Sequence, residues 1–318
     1  MPGDQRIELD STFALHECFE PLMPFFDAGR LAVLVGAHSG ERSRSHSYAT
    51  SYSESLADAR GWTAHYVAQT PRTPTGLRVM GFEAVVPRAM LTARDALASS
   101  SYGALLQISP ALAATLTQVS APDDALAQSA ALVASASALV REREPAAQPL
   151  AGAYPGSDFG GQLRRFAQAV KSGLPVEIAL TSLYGWDHHA GMPGQIAARG
   201  SELCQGLAAL WQDLGPLAQD VLVLVCSEFG RRAYENGTRG TDHGQGGFAL
   251  LLGERVRGGL FARGWKGLAD SRLEDGALPA SVNLFSLFHE AAYKHLGASA
   301  AACDAVFPKA AGHLGLLA

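Results

Sequence analysis

Short apolar runs of strand length alternate with amphipathic helical segments along this chain, and that alternation constrains the fold more than any other feature. The clearest apolar runs lie at residues 31–36, 176–181, 221–225 and 247–253. Apolar residues recur with helical spacing at 158–172 and 195–214. A helix between two apolar strands is the usual connection between neighbouring strands of a parallel sheet. The sequence therefore predicts an α/β fold, with a mostly parallel sheet in a three-layer α/β/α arrangement.

Further elements are predicted outside this regular pattern. Helices are expected at 13–28, 47–69, 122–144 and 281–296. A strand or strand pair is expected at 77–91, where Pro87 confines it to a sheet edge or a strand end. The alanine-rich helix and the Ala/Pro/Gln stretch at 145–150 predict a helical insertion at about 120–150, within a single domain spanning 1–318.

Composition excludes several classes of protein. Of the 318 residues, 47% are hydrophobic and 17% are charged, which is typical of a packed globular protein. A net charge of −5 without a run of Lys or Arg gives no electrostatic basis for binding nucleic acid. No uncharged apolar run reaches the length of about 18 residues that a membrane span needs, so no membrane partner is expected. Nothing in the sequence indicates the oligomeric state.

The cysteines and the first residues bear on the compartment. The four cysteines are scattered and form no Cys-x-x-Cys pair, which argues against a zinc ribbon or a disulfide framework and suits a reducing compartment. The first ten residues lack the basic start and apolar run of a signal peptide. The chain as written is therefore expected in the cytoplasm.

A possible metal-binding pattern follows the 176–181 run. Asp187 and His189 are separated by one residue. In an extended segment, side chains two positions apart point the same way, so both can reach one ion while His188 faces away. A carboxylate oxygen with an imidazole nitrogen suits Zn²⁺, Mn²⁺ or Fe²⁺ better than Ca²⁺. The same spacing also allows a hydrogen-bonded loop without a metal.

A second Asp-His pair, Asp242-His243, lies in the glycine-rich stretch 237–247. Glycines there allow backbone conformations that bring both side chains close to a ligand. Alone, such a pair is also typical of a turn. Together with Asp187 and His189 in one α/β chain, it favours a shared metal site.

Charged residues also follow the 221–225 run. Glu228 is placed to be a further metal ligand or a general base, and Arg231 or Arg232 can hold an anionic oxygen in a bidentate manner. Counted from Cys226, the same segment has the Cys-x5-Arg spacing of a cysteine-phosphatase loop. Because Glu228 would place a negative charge inside that phosphate cradle, Cys226 is better explained as a buried strand end.

The polar loop after the first apolar run contains Arg42-Ser43-Arg44-Ser45-His46. Ser45 is a candidate nucleophile on phosphate or sulfate, or a hydroxyl metal ligand, and Arg44 is placed to hold the oxyanions. Glu54, one or two helical turns further on, can orient His46. The alternative is a solvated basic loop.

A set of ordered motifs runs through the chain: Phe13-Ala-Leu-His16, Gly29-Arg-Leu-Ala-Val33, Arg44-Ser-His46, Tyr154-Pro-Gly156, Gly185-Trp-Asp-His-His189, Ser227-Glu-Phe-Gly-Arg-Arg232, Glu235-Asn-Gly237, Gly240-Thr-Asp-His-Gly244 and the glycine-containing segment 252–259. Together they resemble the DUF1501 family of bacterial proteins, grouped with the alkaline phosphatase/sulfatase superfamily. The resemblance covers the chain from about residue 8 to the C-terminus.

The resemblance implies an alkaline-phosphatase-like fold and metal-dependent hydrolysis. By the same resemblance, the ligands of a divalent metal, Zn or Mn, are Asp187, His189, Glu228, Asp242 and His243. Ser45 resembles the nucleophile. We assign to Arg44 and Arg231 the stabilisation of the charge that develops on the substrate.

The chain departs from the pattern of that superfamily in several respects. Phe229 follows Glu228, where relatives of known activity often carry a further His ligand. Members usually begin with a signal sequence and a strand ending in Gly-Gly-x-Asp-Gly, whose Asp resembles a bridging metal ligand, and this sequence has neither. Either the gene start lies upstream, with export by a twin-arginine signal, or this is a shortened member without activity. The Cys/Ser-x-Pro-x-Arg motif of an ordinary sulfatase is also missing.

Two functional hypotheses follow. The first is a metal-dependent hydrolase of small anionic phosphate or sulfate esters, in which the ion polarises a substrate oxygen and Ser45 or a water attacks. The second is a non-catalytic metal-binding or assembly protein that keeps the same fold.

Overall fold

The structure is a computed structural model that describes residues 6–55, 58–107, 111, 115 and 124–318. The chain divides into two compact units. Unit 1 comprises Met1–Leu56, Tyr184–Ala208 and Ala218–Ala318, and unit 2 comprises Ala57–Leu183 and Ala209–Leu217. Every candidate metal ligand belongs to unit 1. The single domain stays a prediction.

Strands and helices alternate along much of the chain, which confirms the predicted α/β class. The strands are β1 (Arg6–Glu8), β2 (Ala14–His16), β3 (Leu31–His38), β4 (Val79–Gly81), β5 (Ala96–Ala98), β6 (Ile178–Leu180), β7 (Val223–Cys226), β8 (Gly247–Leu252), β9 (Gly259–Phe261) and β10 (Val282–Asn283). The helices are α1 (Met23–Asp27), α2 (His46–Glu54), α3 (Trp62–Gln69), α4 (Tyr102–Leu106), α5 (Ala125–Arg143), α6 (Asp158–Lys171), α7 (Met192–Leu214), α8 (Leu284–Lys294) and α9 (Ala300–Val306). Across the described residues, none of these helices combines the length and apolarity of a membrane span.

The central strand of unit 1 is β3, in a sheet of five strands. It pairs with β8 antiparallel, and β8 in turn pairs with β7 antiparallel. It also pairs in parallel with β9 along Ala32–Leu34 and with β10 along Ala37–His38. All but one of its eight residues are buried, as expected for a strand that is covered on both faces.

This sheet is mixed, whereas the sequence predicted a mostly parallel one. The reason is the connection between β7 and β8. The described structure has no helix between Cys226 and Gly247, so this segment reverses the chain and returns it beside its neighbour. A connection without a crossover helix gives an antiparallel pair.

Unit 2 contains a sheet of three strands that is parallel throughout, with β4 between β5 and β6. Its core gathers buried side chains from the sheet and from α4, α5 and α6: Leu77, Met80, Phe82, Tyr102, Leu105, Ala136, Val140, Ala169 and Leu174. The predicted helical insertion at about 120–150 corresponds here to α5, and its residues 120–123 lie outside the described part.

Several predicted helices are shorter or interrupted. The segment 13–28 forms β2, a 3-10 turn over Glu17–Leu22 and the short α1, because Pro21 and Pro24 cannot donate the hydrogen bonds of a continuous helix. The segment 47–69 forms α2 and α3, with residues 56–57 outside the described part. Within 77–91, β4 is followed by a 3-10 turn over Arg88–Met90. The first residues of 281–296 belong to β10.

A buried carboxylate on α8 anchors the C-terminal segment of unit 1. Glu290 is 1% exposed. Its two carboxylate oxygens accept hydrogen bonds, at 2.7 to 2.9 Å, from the backbone N–H groups of four consecutive residues: Leu314, Gly315, Leu316 and Leu317. Leu316 and Leu317 then pack into the apolar core that β3, β8 and α8 share.

Candidate metal centre

The carboxylate of Asp187 lies at the centre of a cluster of nitrogen atoms in unit 1. Its Oδ1 lies 2.9 Å from His243 Nε2, 3.0 Å from His189 Nε2 and 2.6 Å from an Arg231 guanidinium nitrogen. Its Oδ2 lies 3.3 Å from His46 Nε2. The Nε2 atoms of His189 and His243 are 2.9 Å apart. Three imidazoles therefore converge on one carboxylate.

The opposite nitrogen of each imidazole is held by an oxygen. His46 Nδ1 lies 2.6 Å from Glu228 Oε1, and His243 Nδ1 lies 2.6 Å from the backbone oxygen of Arg44. His189 Nδ1 lies 3.3 Å from Asp242 Oδ1. Carboxylate and carbonyl oxygens only accept hydrogen bonds, so Nδ1 is the donor in each of these three contacts. The Nε2 atom of each ring faces Asp187, where it can donate to the carboxylate or, without its proton, ligate a cation.

This arrangement fits a bound cation. A cation among these atoms would take the place of the Nε2 protons, and the nitrogen lone pairs and the carboxylate would then ligate it. The Nε2 atom of His46 is buried and has no hydrogen-bond partner in the described part of the chain, since its 3.3 Å contact with Asp187 lacks hydrogen-bond geometry. Donor atoms of His46, Asp187 and His243 all lie within 4.8 Å of one another. Ligands of a tetrahedral Zn²⁺ are separated by about 3.3 Å, so the cluster has the dimensions to hold a metal ion.

Arg231 and His243 keep Asp187 ionised. Partial burial raises the pKa of Asp187, but hydrogen bonds from His243 and Arg231 outweigh it and hold the pKa well below its usual range. The other guanidinium contacts of Arg231 are the backbone oxygens of Thr241 and Trp186. Arg231 therefore fixes the position of the carboxylate as well as its charge. Asp187 and His189 are each 45% exposed, so a small molecule can reach the cluster.

The loop 236–244 is shaped to bring His243 beside His189. Asn236 Nδ2 donates to His189 O at 3.0 Å and to Asp242 Oδ1 at 3.1 Å. At position 240 a Cβ atom would lie 2.2 Å from the carbonyl carbon of His189, so only glycine permits this approach. The backbones of Arg231 and His243 then form an antiparallel bridge.

Most of the residues predicted from the sequence come together here, in different roles. Asp187, His189 and His243 direct donor atoms at one point. The sequence predicts Glu228 and Asp242 as ligands, whereas the structure places their carboxylates on the outer nitrogens of His46 and His189. His188 faces away as expected: it is buried, and its Nε2 lies 2.8 Å from Gly185 O.

Sequence reasoning missed His46 as a candidate ligand. The sequence suggests His46 only as a group that Glu54 orients, whereas the carboxylate at its Nδ1 is that of Glu228. His46 begins α2, after the loop that follows β3. The sequence does contain a signal for it: His46 follows a buried apolar run, just as Asp187 and His189 follow another.

The predicted catalytic residues other than Arg231 lie beside this cluster. Ser45 is the exposed N-cap residue of α2, and its hydroxyl makes no cap hydrogen bond. The guanidinium of Arg44 pairs with Asp275 at 2.5 Å. In loop 226–232, Glu228 contacts His46, and Arg232, the arginine of the Cys-x5-Arg spacing, contacts Asp275, so the loop forms no phosphate cradle around Cys226. Cys226 ends β7 as predicted, but it is exposed rather than buried.

Comparisons with known proteins bear on the family only. The family model described as "Protein of unknown function (DUF1501)" matches residues 91–297. Neither the curated proteins nor the solved structures contain a significant match to the chain.

Proposed function

The chain belongs to the DUF1501 family, and from that premise we propose that it is a metal-dependent hydrolase of phosphate or sulfate esters. The observation that carries the proposal is the convergence of three imidazole Nε2 atoms on Asp187, each ring held from behind by an oxygen. Oxygen atoms behind ligating histidines are characteristic of metal centres in enzymes. The proposal includes the three-layer, alkaline-phosphatase-like arrangement that the sequence motifs resemble.

The donor set indicates which metal the centre would take. His46, His189 and His243 supply nitrogen atoms and Asp187 supplies oxygen. A nitrogen-rich set with one carboxylate suits Zn²⁺, and also Mn²⁺, better than Mg²⁺ or Ca²⁺. A bound ion of this kind supplies Lewis acidity toward an ester oxygen.

The chain's own residues would then perform four tasks. Arg231 keeps Asp187 ionised and in place. Glu228 and Asp242 orient His46 and His189 through their outer nitrogens. Ser45, whose hydroxyl is not used by the helix cap, or a water molecule would attack the ester, and Arg44 would bind the oxyanion.

The test is metal content together with turnover. Purified protein is expected to hold about one equivalent of zinc or manganese, and to hydrolyse 4-nitrophenyl phosphate or sulfate until a chelator is added. The substitutions His243→Gln and Asp187→Asn are each expected to weaken metal binding by at least about 100-fold and to abolish turnover. His65→Gln is the matched control, because His65 also contacts a carboxylate, that of Asp58, but lies in unit 2. A folded protein that binds neither metal would refute the proposal.

One observation favours the second hypothesis, a non-catalytic metal-binding or assembly protein. Both guanidinium groups expected to hold an oxyanion contact carboxylates instead, Arg44 that of Asp275 and Arg231 that of Asp187. Stoichiometric metal without turnover of either class of ester would support this alternative, whereas turnover that is lost with Asp187→Asn would exclude it.

A further inference from the structure

A tight hairpin turn presents an aspartate beside the metal centre. Glu274 and Ala277 pair as an antiparallel bridge, with backbone hydrogen bonds of 2.9 and 3.1 Å in the two directions. Between them Asp275 and Gly276 have φ values of 50° and 73°. Two successive residues with positive φ, in the order Asp-Gly, are typical of a type I′ hairpin turn. Asp275 is therefore held at the tip of a short, well-defined turn.

Two arginines converge on this aspartate. Asp275 Oδ2 lies 2.5 Å from an Arg44 guanidinium nitrogen and 3.2 Å from one of Arg232. The carboxylate is the most exposed partner, at 70% of its side chain, against 25% for Arg44 and 37% for Arg232. The Nε atom of Arg232 is buried and, among the described residues, has no hydrogen-bond partner. At least one guanidinium donor of the two arginines, Arg232 Nε, is therefore not used in a hydrogen bond within the part of the chain that the structure describes.

Both arginines are tied by their backbones to the metal centre. The backbone oxygen of Arg44 accepts the hydrogen bond of His243 Nδ1 at 2.6 Å. The backbone N–H of Arg232 donates to the backbone oxygen of Asp242 at 2.9 Å. The two guanidinium groups therefore extend from residues that directly contact the cluster.

We propose that Arg44 and Arg232 form a binding site for a tetrahedral oxyanion, which Asp275 occupies in the free protein and leaves when the anion binds. The proposal rests on the proposed function in identifying that anion as the phosphate or sulfate group of the substrate. Two guanidinium groups offer several parallel N–H donors, which match a tetrahedral oxyanion better than the single carboxylate oxygen that they share here. An exposed ion pair is only weakly stabilising, so a ligand can displace Asp275.

The test uses inorganic phosphate with a chelator present, which separates this site from any metal. We expect Asp275→Asn to lower the dissociation constant of phosphate about fivefold at low ionic strength, because an internal competitor has been removed. Asparagine tolerates positive φ, so the turn is retained. Adding Arg232→Gln is expected to raise the dissociation constant to the wild-type value or above. Isothermal titration calorimetry gives all of these constants.

The matched control is Asp58→Asn in unit 2. Asp58 also pairs with an exposed arginine, Arg60, at 2.6 Å, and the substitution changes the net charge equally. It is expected to leave phosphate binding unchanged. The proposal is overturned if Asp275→Asn binds phosphate no more tightly than wild type, if Asp58→Asn gains as much, or if the gain survives Arg232→Gln.

This experiment and the hydrolase test can fail independently. The expected phosphate affinities in a protein without ester turnover would uphold the anion site and refute the hydrolase. Metal-dependent turnover without the effect of Asp275→Asn would uphold the hydrolase and refute the role of Asp275.

Discussion

At the scale of single residues, the candidate centre depends on which nitrogen of each histidine carries the proton. Glu228, Asp242 and the backbone of Arg44 each accept a hydrogen bond from an Nδ1 atom, so Nε2 is the nitrogen of each ring that faces Asp187 and would ligate a metal. Glu228 is the informative case, because the sequence suggested it as a ligand and the structure places it behind one. A positioning residue and a ligand respond differently to substitution.

We expect Glu228→Gln to weaken metal binding about 10- to 100-fold without changing the donor set. The amide oxygen can still accept from His46 Nδ1, but the negative charge that strengthens that bond is lost. Competition with a chromogenic chelator measures the affinity, and the visible spectrum of the cobalt-substituted protein reports the donor set. Glu202→Gln, which alters a partly buried pair with Arg199, is the control. A changed cobalt spectrum in Glu228→Gln would identify Glu228 as a ligand and contradict the positioning role.

Sequence reasoning identified Asp187, His189 and His243 because each occurs in a short Asp/His motif. Such motifs identify only residues that are close together in the sequence. The contact of His46 with Glu228 joins residues 182 positions apart, and the contact of Arg44 with Asp275 joins residues 231 positions apart. Pairs of this kind arise only from tertiary packing, so neither contact could be predicted from local patterns.

At the scale of elements, the positions of the strands were predictable but their directions were not. The predicted runs at 31–36, 221–225 and 247–253 coincide closely with β3, β7 and β8. Their apolar residues indicate strands, of which β3 and most of β8 are buried and β7 is only partly buried. Whether two of them run parallel depends on the connection between them. Hydrophobic periodicity does not show the direction in which the chain re-enters the sheet after a loop that contains no helix.

The link between α8 and the C-terminal segment provides a prediction about stability. In Glu290→Gln, an amide NH₂ group replaces one of the oxygens that accept the backbone N–H groups of residues 314–317. We expect a loss of about 2–3 kcal/mol in the free energy of unfolding, since buried donors are left without partners. Chemical denaturation measures the change. Glu254→Gln, in a partly exposed pair with Arg30, is expected to cost less than about 1 kcal/mol. An equal effect of the two substitutions would contradict the anchoring role.

At the scale of the whole molecule, all the candidate ligands lie in unit 1. A metal that binds only the folded centre stabilises the folded state by mass action. We therefore expect zinc to slow backbone amide exchange in β3 and β8 while leaving exchange in β4, β5 and β6 of unit 2 unchanged. Hydrogen–deuterium exchange with and without chelator measures this. Equal protection of the two sheets, or none in either, would contradict the assignment of the centre to unit 1.

The residues of the cluster are far apart in the sequence, and this has a consequence for the stability of the folded state. His243 lies 56 positions from Asp187, and its outer nitrogen contacts the backbone of a residue 199 positions away. An ion held here would act as a reversible cross-link that closes long chain loops, much as a disulfide does. Unlike a disulfide, this cross-link would not depend on redox conditions, and it would tighten or loosen with the supply of metal. His46 also precedes the segment 91–297 that defines the family match. A fragment cut to that segment would therefore lose one arm of the cross-link.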